Sequence, residues 1–381
     1  ANEWVTGICE KPRIKCATCQ HRRFLPVTDE VIHKHLVGTD ERGGEFVAGV
    51  YPMLLDETCF FLAIDLDKSG WREDAVAVLD TCRQINVPAA LERSRSGNGG
   101  HIWIFFETAV PASIARRLGS HVLTETMERR PDIGLDSYDR FFPNQDTLPQ
   151  GGFGNLIALP LQKRPREAGN SVFVDDALEP YDDQWAVLSS IERMPRAVVD
   201  EIVRNAGQSG RIIDVRVASG DDDEPWALPP SRRRGKPDIS GDLPARLDLT
   251  LSDQVYVSKE NMPPALRNHL IRLAAFQNPE FYKAQSMRLP TWGKPRIIGC
   301  AEDHPRHLAL PRGCYEDVQS LLADLKIEVT THDERFCGDP IDLSFQGELR
   351  PEQKTAVRKL LEHDNGVLSA TTAFGKTVVA A

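Results

Sequence analysis

The sequence predicts a multidomain chain of mixed α+β or α/β class, and three observations carry that prediction. Apolar runs at 59–64, 102–106 and 155–159 are short and strand-like, the signature of buried strands. Between them, over 71–85 and 113–128, apolar residues return at three- and four-residue spacing, the period of an amphipathic helix. The third observation is size. A chain of 381 residues exceeds one ordinary domain of roughly 100–200 residues, so two or three units are expected. With 41% hydrophobic and 27% charged residues, each can bury a core, and wholesale disorder is excluded.

The elements follow in order. Cys9, Cys16 and Cys19 crowd into an opening segment, 1–40. Eight cysteines in the whole chain are too sparse for a disulfide scaffold, so the cluster reads as a metal site in a reducing compartment. Residues 41–200 hold the interleaved strands and helices. The stretch 201–245 is Gly-, Pro- and charge-rich, a solvated linker. A second unit, 246–345, is expected to have strands at 254–257, 296–299 and 327–330 and helices at 264–276 and 315–325. In 346–381 a helix at 351–363 precedes a strand at 366–369 and a phosphate-loop-like turn. No internal repeat is present.

No stretch reaches the roughly 18–20 apolar residues of a membrane span, and no signal peptide is evident. The first residue is Ala, so the missing leader carries little weight; a soluble, cytoplasmic protein without membrane partners is expected. The net charge of −10 argues against a surface coated in nucleic acid but leaves room for a local basic cleft.

The strongest chemical signal is Asp65 and Asp67. Period-two geometry on the strand-like run 61–67 puts both on one face. Adjacent carboxylates repel unless a cation sits between them, and a divalent metal serves that purpose. Alone, such a pair fits equally well a strand end running into the turn 67–70. Further on, Ser96-Gly97-Asn98-Gly99-Gly100-His101 leads into the apolar run 102–106. Small residues let backbone N–H groups approach an anion, and His101 adds a donor. The bland reading of this stretch is a hairpin loop with a histidine capping the strand.

The combination resembles the archaeo-eukaryotic primase superfamily of primase-polymerases. The runs 137–146 and 151–162 are similar to the primase branch of TOTE conflict systems, in which a primase is fused to a superfamily 2 helicase. The resemblance implies an RRM-like catalytic core over 41–200 and a template-directed nucleotidyltransferase acting on nucleoside triphosphates. Its nucleic-acid partner would be single-stranded or primer-template DNA, or RNA. Two Mg²⁺ or Mn²⁺ ions would be held by Asp65, Asp67 and a third aspartate, Asp139 by preference and Asp136 as the alternative. Ser96 and His101 would touch the triphosphate, with Gly97 and Gly99 admitting it. Asn98 stands where some relatives carry lysine, so Arg95 or Arg140 is expected to supply the charge.

The spacing of Cys9, Cys16 and Cys19 is zinc-like, with His21, His33 or, as the resemblance implies, an upstream cysteine as fourth ligand. In 370–377 the resemblance implies a Walker A loop for ATP, with Lys376 on the phosphates, Thr377 on Mg²⁺, Gly375 in the turn and Gln353 reading adenine. Ala373 departs from the pattern, since related helicases carry glycine there. As given, the chain is expected not to hydrolyse ATP. The rival reading from another class is a non-catalytic nucleic-acid-binding module serving a motor.

Overall fold

In a computed structural model, the structure describes residues 2–4, 22–24, 26–130, 133–150, 152–208, 239, 242–336, 338–339, 342, 346–363 and 365–380. Cys9, Cys16, Cys19 and His21 lie outside them, as does most of the expected linker. Two compact units result: Ala1–Gly235 together with Phe276–Ile298, and Lys236–Ala275 together with Gly299–Ala381.

The first unit begins with the antiparallel pair β1 (Asn2–Trp4) and β2 (Arg22–Phe24), then α1 (Asp29–Val37) and β3 (Gly49–Val50). Its centre is built by β4 (Thr58–Leu66), α2 (Trp71–Gln84), β5 (Ala90–Arg93), β6 (Gly100–Pro111) and α3 (Ala112–Met127). There follow β7 (Phe141–Phe142), β8 (Ile157–Ala158), α4 (Lys163–Glu167), β9 (Val172–Val174), α5 (Gln184–Ser190), β10 (Arg193–Met194) and α6 (Arg196–Gln208). The main sheet runs β7-β4-β6-β5-β9, with β10 added in parallel to β6. Strand β8 pairs instead with β3, so the apolar run 155–159 yields only a two-residue ladder.

Alternation sorts the sheet's two faces. Leu62, Ile64, Ile102 and Ile104 are fully buried under α2 and α3, which pack on each other and on β4 and β6. Gly119 in the middle of α3 marks how close that approach is. A Cβ there would come 2.9 Å from Leu62 Cδ2 and 3.0 Å from Phe141 Cζ. The opposite face carries Asp65, His101 and Glu92, because successive side chains of a strand point to opposite sides.

The second unit is a five-stranded sheet built from β11 (Arg246–Leu251) and β12 (Gln254–Ser258), with α7 (Pro264–Leu273) packed nearby. Along the chain β13 (Ala275–Gln277), α8 (Pro279–Ser286) and β14 (Ile297–Gly299) come next, mainly within the first unit's segment Phe276–Ile298. The second unit resumes with β15 (Glu302–Asp303), β16 (His307–Pro311), α9 (Tyr315–Asp324) and β17 (Glu328–Asp333). The sheet order is β15-β16-β12-β11-β17. Leu249, Val255, Val257, Leu266, Leu308, Leu310, Val318 and Leu322 form its fully buried core. Helices α10 (Pro351–Leu361) and α11 (Lys376–Ala380) close the described chain.

Three expectations change. The expected linker 201–245 begins too early, because 201–208 continue α6 and bury Val203 and Ala206. The strand expected at 366–369 does not form: the segment has no partner strand among the described residues, and Val367 stays 94% exposed. An unpaired apolar run has no ladder to satisfy its backbone groups. The expected unit 246–345 is interrupted, because Phe276–Ile298 packs with the first unit. Its polar contacts, described below, attach it to the loop after β7. No helix among the described residues is long and apolar enough to cross a membrane.

Candidate active site

One transverse row of the main sheet gathers the chemistry. Asp65 on β4 is the register partner of His101 on β6, which is the partner of Glu92 on β5. On the other side of β4, the Asp65 N–H donates to the Arg140 carbonyl at 2.9 Å, continuing the ladder in which Ile64 faces Phe141. Arg140, Asp65, His101 and Glu92 therefore lie in a line across four chain segments, basic and acidic groups alternating.

Asp67 extends the row past the strand end. Arg140 Nη1 donates to Asp67 Oδ2 at 2.6 Å and stands 3.8 Å from Asp65 Oδ2. A single guanidinium thus faces both carboxylates. Burial, joined by repulsion from Asp67, pushes the Asp65 carboxyl above its ordinary value, against the pull of His101 and Arg140. Two half-wet carboxylates that already draw in a cation are hard oxygen donors of the kind Mg²⁺ and Mn²⁺ take. Mg²⁺ in particular is held by one or two carboxylates plus substrate phosphates. The residues present therefore fit a divalent ion.

His101 is held from behind. Its Nδ1–H donates to Glu92 Oε2 at 3.0 Å, and its Nε2 faces Asp65 Oδ1 at 3.7 Å. Burial opposes the charged ring, but the hydrogen bond and charge of Glu92, and then the charge of Asp65, outweigh it and raise its pKa. Glu92, 2% exposed, also accepts from Trp103 Nε1 at 2.8 Å and from Ser171 Oγ at 3.3 Å. A buried carboxylate is tolerated only when satisfied in this way. Glu92 is the site residue that sequence reasoning passed over. The signal was the hairpin itself: a turn closed between Ser94 and Gly99 puts position 92 opposite 101.

The loop between β5 and β6 is compact. Gly97 N–H donates to Ser94 O at 3.0 Å, and Ser96 Oγ takes the Asn98 N–H at 3.2 Å and meets Ser94 Oγ at 3.2 Å. Ser96 and Asn98 are exposed. At Gly99 a Cβ would meet the Leu66 carbonyl oxygen at 2.8 Å and Asp67 Cα at 3.3 Å, so only glycine lets this loop lie against the strand end that bears Asp67. Arg95 pairs with Glu45, which Arg164 also reaches at 3.3 Å. Of the two arginines expected to supply charge, Arg140 is therefore the one at the aspartates.

The third expected ligand, Asp139, takes a hydrogen bond from the segment 276–298. Asp139 Oδ1 accepts the Arg296 main-chain N–H at 2.8 Å. Asp136 lies on the 3₁₀ turn Leu135–Asp139. Among the described residues no group of three His, Cys, Asp or Glu side chains is arranged to hold a metal. His33 is exposed on α1.

In the second unit Lys376 Nζ donates to Ala370 O and Thr371 O, both at 3.2 Å. Gln353, 5% exposed, donates to Phe374 O at 2.8 Å and accepts from Arg350 N at 2.9 Å. Ala373 takes φ +66°, a left-handed conformation costly for a residue with a Cβ, at the position where glycine was expected. Gly375, at φ +83°, has no such handicap. Thr377 is exposed at the start of α11.

No curated protein matches the chain. A family model does match, over residues 1–202, described as the archaeo-eukaryotic primase domain of the TOTE conflict system. That span contains Asp65, Asp67, Glu92, His101 and Arg140 and covers more than half of the 381 residues. The chain belongs to the TOTE conflict system archaeo-eukaryotic primase family.

Proposed function

We propose that this chain is a divalent-metal-dependent primase-polymerase that joins nucleoside triphosphates to a nucleic-acid 3′ end under template direction. The observation that carries the reading is the row Arg140–Asp65–His101–Glu92, with Asp67 at its edge. Membership of a primase family supports nucleotidyl transfer as its reaction class. Asp65 and Asp67 would hold the metal, which supplies neutralisation of phosphate charge and a lowered pKa for the attacking hydroxyl.

The chain's own residues do the rest. The His101 ring, fixed by Glu92 through Nδ1, presents Nε2 toward the strand-end carboxylates, where a triphosphate oxygen would accept its proton in a hydrogen bond. Gly97 and Gly99 let the loop pack close, since a Cβ would come 2.7 Å from Asn170 Oδ1 or 2.8 Å from Leu66 O, and so hold the loop beside the strand end where the phosphates would lie. The 3′ hydroxyl oxygen attacks the α-phosphorus and gives up its proton to solvent water, the α–β bridging bond breaks, and pyrophosphate leaves. Arg140, facing both carboxylates, offsets part of their charge and holds them in register with each other.

The decisive assay is extension of a primed single-stranded template with each nucleotide set, in Mg²⁺ and in Mn²⁺. Asp67→Ala should lower synthesis by roughly 100-fold or more, the scale of losing a group that stabilises transition-state charge, while DNA binding persists. Synthesis unchanged by Asp67→Ala would overturn the assignment. Binding without synthesis in the unaltered protein would favour the non-catalytic nucleic-acid module.

Two further assignments belong to this proposal. Cys9, Cys16 and Cys19 would bind one structural zinc at about 2.3 Å per sulfur; elemental analysis of chelator-free protein should find about one zinc per chain, and none would refute the site. Gln353, Gly375, Lys376 and Thr377 would form the ATP loop of a fused superfamily 2 helicase. The bonds of Lys376 to Ala370 O and Thr371 O and of Gln353 to Phe374 O gather these side chains on one loop, which supports the assignment.

A further inference from the structure

We propose that the segment 276–298, remote in sequence from the matched family domain, is a positioning element of the polymerase site that fixes Asp139 and, through it, Arg140. The inference rests on the primase-polymerase reading above and concerns residues to which that reading gives no role.

The contacts form a continuous path. The Arg296 N–H donates to Asp139 Oδ1 at 2.8 Å. The next residue, Arg140, gives its carbonyl to the Asp65 N–H and its guanidinium to Asp67. Tethering the Asp139 side chain restricts the backbone from which Arg140 reaches, because adjacent residues share a rigid peptide plane. Arg296 is itself held: it is 4% exposed, and its guanidinium lies over the Phe281 ring at 4.7 Å.

The far end of the same loop is tied to the same segment. Gln285 and Asp146 bond each other twice: Asp146 N–H to Gln285 Oε1 at 3.1 Å, and Gln285 Nε2 to Asp146 Oδ2 at 3.0 Å. Asp146 Oδ1 takes the buried Arg116 at 2.8 Å, anchoring the junction to α3. Gln150 N–H donates to Arg288 O at 2.7 Å, and Arg288 Nη1 reaches Glu57 Oε1 at 2.6 Å. The loop 139–150 is therefore clamped at both ends by a segment that the chain delivers from more than a hundred residues away. A surface passenger would need none of these paired, partly buried bonds. A clamp on the loop that supplies Arg140 uses all of them.

Gln285, Arg288 and Arg296 are thus positioning residues, not catalytic ones. Loosening the clamp should disturb the alignment of the carboxylate pair with the reacting phosphate more than nucleotide capture, which falls to His101 and its loop. The signature is a fall in kcat with KM for nucleotide nearly unchanged.

The test uses the full chain with Gln285→Ala, Arg288→Ala and Arg288→Lys. Amide hydrogen exchange is read over 137–150 and over β6, and primer extension is read as kcat and KM. We expect faster exchange over 137–150 in both alanine variants with β6 unchanged. We also expect kcat lowered about 10-fold, within the range of a misplacement of roughly 1 Å, and substantial recovery in Arg288→Lys, which keeps a cation for Glu57. Unchanged exchange over 137–150, or extension equal to the unaltered protein, would overturn the inference. So would equal loss of protection in β6, which would make the segment a general brace. If the unaltered chain extends no primer, the proposed function fails, while the exchange measurement still decides whether 276–298 holds the Asp139–Arg140 loop.

Discussion

His35 illustrates how much one buried side chain can decide. It is 1% exposed; its Nδ1 accepts the Ala48 N–H at 3.0 Å and its Nε2–H donates to Pro160 O at 2.9 Å. That pair of bonds requires the neutral ring. A proton on Nδ1 would set two donors against each other, and burial, the main cause, lowers the pKa from its ordinary 6.5. The sign follows from linkage. Below 6.5 the unfolded chain takes up the proton and the folded one resists, so stability falls as pH drops through that value and levels off below the folded pKa. Urea midpoints between pH 7.5 and 5.5 should therefore decline more in the unaltered chain than in His35→Gln, whose amide keeps one donor and one acceptor without titrating. Equal declines would contradict this.

The same scale shows where sequence reasoning stops. Asp65, Asp67 and His101 are legible because two aspartates at period two and a glycine-flanked histidine are unusual in apolar strands. Glu92 was not legible from residue type, since a glutamate ahead of Arg93 and Arg95 looks like solvated charge. Only the cross-strand register reveals that it is buried behind His101. Asp139 reads as a ligand by its neighbours in sequence, and nothing there foretells that its Oδ1 accepts a main-chain N–H supplied 157 residues later.

Elements were the most legible level, for a physical reason. The runs 59–64 and 102–106 became β4 and β6, and the helical patterns 71–85 and 113–128 became α2 and α3 within a residue or two. Each buries a face that its period alone defines. Periodicity does not tell how tightly two elements approach, and there Gly119 decides. Replacing it with alanine would add a Cβ against Leu62 and Phe141, neither of which can retreat from the fully buried core. Overpacking of this kind costs about 1–3 kcal/mol, while the helix gains up to about 1 kcal/mol from alanine. A net loss of roughly 1–2 kcal/mol, the middle and upper part of that balance, is expected in a urea melt of Gly119→Ala. Because Phe141 follows Arg140, primer extension should fall with it; a stabilised variant would show that α3 can shift away from the sheet.

At the scale of the whole molecule the boundaries were the hardest to read. The sequence places 276–298 inside a second unit because strand and helix patterns run through it without a composition break. What assigns the segment to the first unit is a set of hydrogen bonds and ion pairs to Glu57, Asp139, Asp146 and Gln150, which have no period and leave no mark in the local sequence. The assignment has a consequence for unfolding. Leu249 is fully buried in the second core, and Leu249→Ala should destabilise that core by about 2–5 kcal/mol, the usual range for emptying a buried leucine site. If the units are separately stabilised, urea should then resolve two transitions, with only one moved by the substitution. Amide protection in α8 should follow the unmoved transition together with β6, although both ends of its segment lead into the second unit. Protection of α8 lost together with β11 and β12 would return 276–298 to the unit its sequence position suggests.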